Sequence, residues 1–163
     1  MFYSLILLLD TDQWLTALLP AVLSHELGHL FMIRATGGHI RSVRLEASGL
    51  CINADAFSSR RQELLCIAGG PAAGFVWAVL TLFFTGRWWI RASAAAFVIN
   101  FFNLLPAMPL DGGRLLSVLT CSSRIVRGSS WITAGLLLLF VVRLRTWGLI
   151  VPSVLIVKTC LSP

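Results

Sequence analysis

Residues 14–33 read WLTALLPAVLSHELGHLFMI, and this stretch decides how the chain folds. Its ionisable side chains are confined to His25, Glu26 and His29. A run of about twenty apolar residues is long enough to cross a bilayer as a helix. Ionisable groups near the centre of such a helix are costly, and they therefore indicate a functional site by default. The sequence thus predicts a transmembrane helix from about Trp14 to Ile33 with a polar cluster inside it.

The cluster has the spacing of a metal site on a helix. His25 and His29 are four residues apart, so both imidazoles lie on one helical face and can reach one cation. Glu26 follows the first histidine and can act on a water bound to that cation, an arrangement typical of zinc peptidases. The alternative is that so short a motif arises by chance. Chance is the poorer explanation inside a membrane helix, because clustered ionisable groups are costly there.

The composition is that of an integral membrane protein. Of the 163 residues, 57% are hydrophobic and 12% are charged, and the mean hydropathy is +0.85. The net charge of +6 comes from Arg and Lys scattered between apolar runs, not from a basic block. This pattern excludes nucleic acid as a partner and favours membrane lipid. Four cysteines lack paired spacing and are expected to be buried thiols: Cys51, Cys66, Cys121 and Cys160.

A change of period follows the first predicted helix. Gly37 and Gly38 end the helix, and residues 39–56 alternate apolar and polar side chains on either side of Ser48-Gly49. Period-two alternation across a Ser-Gly turn predicts a β-hairpin, with a plain connecting loop as the alternative.

The remaining apolar runs predict four more helices, at about 64–85, 92–110, 129–142 and 147–157. Residues 1–9 are apolar but too short to span as a helix. In the second helix, Gly70 and Gly74 form a small-residue surface that lets another helix approach closely. The predicted fold is an all-α polytopic membrane protein: a bundle of about five transmembrane helices with a small membrane-associated β-hairpin after the first.

A candidate third metal ligand lies at the end of the predicted helix 92–110, where residues 103–114 read NLLPAMPLDGGR. Its prolines and glycines frustrate a regular helix, and irregular backbone at membrane depth is tolerated only where protein or a water-filled cavity covers it. Asp111 would point into that cavity and supply the third protein ligand that a catalytic zinc usually has. Its structural alternative is an N-cap or a loop carboxylate. His39 is a weaker candidate, because it lies beyond two glycines at the membrane surface.

The basic residues predict an orientation. Nine Arg and Lys residues fall on the side of the hairpin and four on the other, so the positive-inside rule makes the first side cytoplasmic. We therefore expect a multi-pass protein of a bacterial cell membrane, with His25, His29 and Asp111 toward the cytoplasmic half.

Two motifs together resemble those of the site-2 proteases, the intramembrane zinc metalloproteases. They are His25-Glu26-Leu27-Gly28-His29 and Asn103-x-x-Pro106-x-x-Pro109-Leu110-Asp111-Gly112-Gly113. The second is most similar to the sporulation-type branch, which processes a membrane-associated pro-sigma factor. The resemblance runs from about residue 14 to 120.

The resemblance implies a role for each matching residue. His25, His29 and Asp111 would bind one Zn²⁺ per chain, Glu26 would be the general base and acid, and Asn103 would help to hold the substrate. The substrate would be a single-span or membrane-associated protein, added as an extended strand to the hairpin edge. We interpret residues 1–163 as one intramembrane metalloprotease domain, with a catalytic core at about 14–120 and C-terminal helices at about 129–160.

Two points stay open at the level of sequence. Many family members carry a PDZ or CBS domain, for which this chain has no length, so we expect a regulatory membrane partner or a homo-oligomer. The rival interpretation is a non-catalytic membrane protein with a zinc site, either a transporter or a regulator. A transporter needs ligands along a path, and a dead relative normally loses the glutamate or a ligand, so both alternatives fit less well. A packing subunit would leave the clustered charges unexplained.

Overall fold

A computed structural model of the chain describes residues 12–46, 49–54, 57–144 and 150–161. Contacts divide the chain into two compact units, residues 1–101 and 102–163, and each is described by itself. The elements in chain order are α1 (Trp14–Ala35), β1 (Ile40–Glu46), β2 (Gly49–Ala54), α2 (Arg60–Thr81), α3 (Arg87–Asn103), α4 (Asp111–Thr120), α5 (Ser123–Leu144) and α6 (Ile150–Leu161).

In the first unit, α1 and α2 cross with their backbones in direct contact. Gly28 of α1 faces the carbonyl of Gly69 and the Cβ of Ala73 on α2, while Gly69 faces Met32 and the carbonyl of Gly28. A Cβ added at either glycine would overlap these atoms. Small residues at a helix crossing are the usual way for membrane helices to gain close packing, and here the crossing requires them.

The third helix of this unit joins through small side chains. Its Ala95 and Ala96 form a buried cluster with Ala21 of α1 and Ala78 of α2. The hydroxyl of Ser93 on α3 donates to the Ala78 carbonyl on α2 at 2.8 Å. Hydrogen bonds of this kind hold helices together where lipid offers no hydrophobic driving force between them.

Large apolar side chains lie on the outside of the described helices. Phe31, Phe101 and Val142 are 70%, 62% and 78% exposed, whereas the buried positions are dominated by alanine, glycine and small polar residues. Proteins in water rarely expose apolar surface on this scale. Among the described helices, α1, α2 and α5 are long and apolar enough to cross a bilayer. The protein is therefore a membrane protein.

The second unit is built around the irregular segment 104–110. Ala107 of this segment packs with Ala134 on α5 and Ile156 on α6, and the Met108 N–H donates to the Ser130 hydroxyl on α5 at 3.0 Å. At the start of α4, Gly112 and Gly113 lie so close to the backbone of residues 104–108 that an added Cβ would overlap it. These contacts hold the proline-rich segment against the first turn of α4.

The predicted count of about five transmembrane helices is not supported. Three of the described helices meet the length and hydropathy needed to span. The run predicted at 92–110 forms a 17-residue helix that ends at Asn103, because Pro106 disfavours a helical residue before it and lacks the N–H that the helix needs. Residues 150–161 form a helix of 12 residues.

Other predicted boundaries also shift. Residues 87–91, which lie between two of the predicted helices, form the start of α3, and the ten-residue α4 was not predicted. Helix α5 begins at Ser123, six positions before the predicted start at 129, because the stems of Arg124 and Arg127 can lie along a helix while their charges reach water. The expected burial of thiols is correct for Cys66 and wrong for Cys121, which is exposed.

The stretch with period-two alternation contains two antiparallel strands. Val43 of β1 is the Cα partner of Ile52 on β2, and Leu45 is the partner of Leu50, with an irregularity in register between Ile40 and Ser42. Ser48 of the predicted turn and the apolar stretch 1–9 lie outside the described residues.

We expect Gly28→Ala to destabilise the protein. The new Cβ would overlap the Gly69 carbonyl and Ala73, and overpacking of this kind costs about 1–3 kcal/mol. Thermal unfolding in detergent, followed by circular dichroism, should show a lower midpoint. Gly128→Ala is the matched control, since Gly128 lies inside α5 with no atom within 4 Å of an added Cβ. An unchanged midpoint in Gly28→Ala would contradict the close crossing.

Candidate metal centre

The candidate site lies on α1, where His25 and His29 are buried one helical turn apart. Their side chains are 4% and 8% exposed. The two rings meet edge to face with centroids 4.8 Å apart, and their Nε2 atoms are 3.2 Å apart. The helix accounts for this proximity, because residues at i and i+4 lie one above the other on the same face.

Each imidazole is held by a hydrogen-bond acceptor at its Nδ1 atom. His29 Nδ1 is 2.9 Å from the carbonyl oxygen of Cys66 on α2, and a carbonyl only accepts, so this nitrogen donates. His25 Nδ1 is 2.7 Å from Oδ1 of Asn100 on α3. The Asn100 Nδ2 donates to the Ala96 carbonyl at 2.6 Å, which leaves its oxygen toward His25. His25 Nδ1 therefore donates as well.

These two bonds determine where the lone pairs of His25 and His29 point. A neutral imidazole that donates from Nδ1 carries its lone pair on Nε2. Two lone pairs that face each other across 3.2 Å repel unless a cation, either a proton or a metal ion, lies between them. Two nitrogen ligands of one tetrahedral zinc, each at about 2.0–2.1 Å from the metal, are about 3.3 Å apart. The histidine pair therefore fits a zinc ion.

Glycines of α2 make room for this arrangement. A Cβ at Gly70 would overlap the His29 ring, and a Cβ at Gly74 would overlap the Asn100 amide. The sequence predicted that both glycines let a second helix approach. Their role is different: they clear space for side chains of the site, while Gly28 and Gly69 make the helix crossing.

The predicted carboxylates lie in different units. Glu26 is half-buried on α1, directly after His25. Asp111 is the first residue of α4 and is 6% exposed, with one oxygen 3.8 Å from Nη1 of Arg114. The N-cap of α4 is Leu110, so the alternative role of Asp111 as a helix cap is wrong. Asp111 is thus a buried carboxylate of the second unit, and its role as a third metal ligand stays a prediction.

The structure also places the other two predicted residues. Asn103 is the half-buried last residue of α3, and His39 is exposed just before β1. The sequence missed Asn100, which is fully buried and contacts His25. The signal was present, since Asn100 is a polar residue inside the apolar run AAAFVINFF at 94–102, and an amide inside a membrane helix is expected to bond to another helix.

Comparison with known proteins points to one family. Rip3 of Mycobacterium tuberculosis, a protein named as a zinc metalloprotease, is 30% identical over 115 residues in each of two strains. The match takes in 61% of this chain and 28% of Rip3, so the chain spans less than a third of this curated relative. The site-2 protease of Methanocaldococcus jannaschii matches in structure with a TM-score of 0.69 and 25% identity, over 89% of this chain and 74% of that chain.

In sequence and in structure, the chain is similar to the site-2 proteases. No model of a protein family matches it. The two relatives do not bear on the sporulation-type branch, so that part of the resemblance stays a prediction. In this chain the histidines of the first motif lie together on one buried face of α1, as zinc binding requires.

We expect Gly70→Ala to weaken metal binding by this protein. The new Cβ would displace the His29 ring, and loss of ligand orientation typically weakens metal affinity by about 10–100-fold. Chelator competition on detergent-purified protein measures the zinc affinity. Gly135→Ala on α5 is the matched control, with no atom within 4 Å of an added Cβ. Wild-type affinity in Gly70→Ala would show that the His29 ring does not need this space.

Proposed function

We propose that the protein is an intramembrane zinc metalloprotease that hydrolyses peptide bonds of membrane-spanning or membrane-associated proteins near the cytoplasmic side. The observation that carries the proposal is the pair of buried imidazoles with Nε2 atoms 3.2 Å apart. They lie on a helix that is long and apolar enough to cross a bilayer. The names of Rip3 and of the archaeal site-2 protease support both zinc and proteolysis.

The proposed ligands are His25, His29 and Asp111. A catalytic zinc usually has three protein ligands and one open position, and the histidine pair supplies two of them. Asp111 is proposed as the third because it is a buried carboxylate in the second motif of the resemblance. When bound, zinc would polarise the scissile carbonyl and lower the pKa of a water molecule toward 7.

Glu26 is proposed as the general base and then the general acid. Its side chain is half-buried and directly follows His25 on α1, and we propose that its carboxylate accepts a proton from the attacking water. The same carboxylate can return that proton to the leaving amine, because both transfers occur on one side of the scissile bond. General acid–base catalysis typically contributes about 10²–10⁴-fold to a rate.

Substrate binding is proposed for Asn103 and for an edge of the two-stranded sheet formed by β1 and β2. A helical substrate keeps its peptide groups in internal hydrogen bonds, so it must become extended before a protease can reach them. Strand addition to a sheet edge provides the main-chain bonds that hold an extended segment. Anionic lipid, a regulatory membrane partner and a second copy of the chain are proposed as further partners.

The proposal is tested with purified protein and a panel of single-span membrane proteins as substrates. We expect one zinc per chain in the wild type, and cleavage on a gel of at least one substrate. Glu26→Gln should keep the zinc and lose cleavage by about 10²–10⁴-fold, because the carboxamide cannot take up a proton. Asp111→Asn should bind zinc more weakly, since it loses a charged ligand.

His39→Gln is the matched control, because this exposed histidine lies outside the proposed ligand set. It should keep both zinc and cleavage. Folded wild-type protein without zinc would overturn the proposal. Full zinc occupancy with no cleavage of any substrate in the panel would instead support a non-catalytic membrane protein with a zinc site.

A further inference from the structure

Asn100 is a fully buried amide on α3, and the mechanism proposed above does not use it. Both of its polar side-chain atoms make hydrogen bonds. Its Oδ1 is 2.7 Å from Nδ1 of His25, and its Nδ2 donates to the Ala96 carbonyl at 2.6 Å. A buried amide with both ends satisfied has one orientation, because turning it over would set oxygen against oxygen at Ala96.

We propose that Asn100 is a positioning residue that holds His25 in the tautomer and ring orientation needed to bind the metal. The proposal rests on the proposed function, since it concerns the same site. The amide oxygen presents His25 with an acceptor only, so the proton of the neutral imidazole is held on Nδ1. The lone pair is then on Nε2, which faces His29 at 3.2 Å. In the other tautomer, Nε2 would carry the proton and could not bind a cation.

The surrounding helices are shaped around this amide. Gly74 of α2 lies against it, and any side chain at that position would overlap it. Ala96, which accepts from the amide, is itself fully buried. The amide therefore has no free space to rotate into. A side chain fixed in this way can transmit its orientation to the ring it contacts.

The two histidines differ in how they are held. His29 is held by a backbone carbonyl, that of Cys66, whereas His25 depends on a side chain. Substitution of Asn100 can therefore remove the hydrogen bond at His25 Nδ1 while His29 keeps its bond to the Cys66 carbonyl. An amide in this position is a weaker acceptor than a carboxylate, and it avoids burying another negative charge in an apolar bundle.

The test compares three variants in detergent without substrate, so that metal binding is measured independently of proteolysis. Asn100→Leu removes the acceptor at similar volume, and Asn100→Asp keeps an acceptor. Ser93→Ala is the matched control: it removes another buried hydrogen bond between α3 and α2, the 2.8 Å bond to the Ala78 carbonyl, away from the histidines. Zinc affinity is measured by chelator competition on the folded fraction.

We expect Asn100→Leu to weaken zinc binding by about 10–100-fold, while Asn100→Asp restores it and Ser93→Ala leaves it unchanged. Wild-type zinc affinity in folded Asn100→Leu would overturn the inference and leave the proposed function standing. An equal loss in Asn100→Leu and Ser93→Ala would show a purely structural role and overturn it as well. Absence of zinc from the wild type would be the separate failure of the proposed function.

A second measurement uses the wild-type protein alone, so it does not depend on whether a variant folds. The ¹⁵N chemical shifts of the histidines in metal-free wild-type protein report the tautomer directly. We expect His25 to carry its proton on Nδ1 when neutral. A proton on Nε2 would overturn the inference even if Asn100→Leu fails to fold.

Discussion

Inside a bilayer, the N–H of a buried imidazole must find its acceptor within the protein, because water cannot take that place. In this chain the two Nδ1–H groups of the histidine pair find theirs on two other helices. His29 bonds to a carbonyl of α2 and His25 bonds to Asn100 of α3. The need to satisfy two polar groups thus ties three helices of the first unit together at the level of the candidate site.

That requirement explains the small residues around the site. A histidine on α1 reaches a backbone carbonyl of α2 only if the two helices approach closely, and Gly28 and Gly69 allow this approach. The rings and the amide then occupy space that side chains would otherwise fill, which is why Gly70 and Gly74 face them. The glycine-rich segment of α2 therefore serves two purposes: it lets the helices pack closely, and it leaves space for the side chains of the candidate site.

The parts of the site that depend on one helix could be predicted from the sequence. Helix geometry alone places His25 and His29 on one face, and their apolar surroundings indicate α1 to within two residues at its C-terminal end. Asn100 could not be assigned, because its contact with His25 depends on how α3 is rotated against α1, and no spacing in the chain encodes that rotation. The short α4 escaped prediction because its first turn contains two glycines, which disfavour helix in isolation.

The same geometry bears on whether a metal ion would be resident or in transit. A transport site must release its ion, so its ligands need freedom to separate. Here His25 and His29 lie one turn apart on the same helix, and the Nδ1 atom of each ring makes a buried hydrogen bond. The His29 ring also lies against Gly70 of α2, where a Cβ would overlap it. Ligands held this rigidly suit an ion that stays in place, and the general base proposed at Glu26 would serve hydrolysis and not transport.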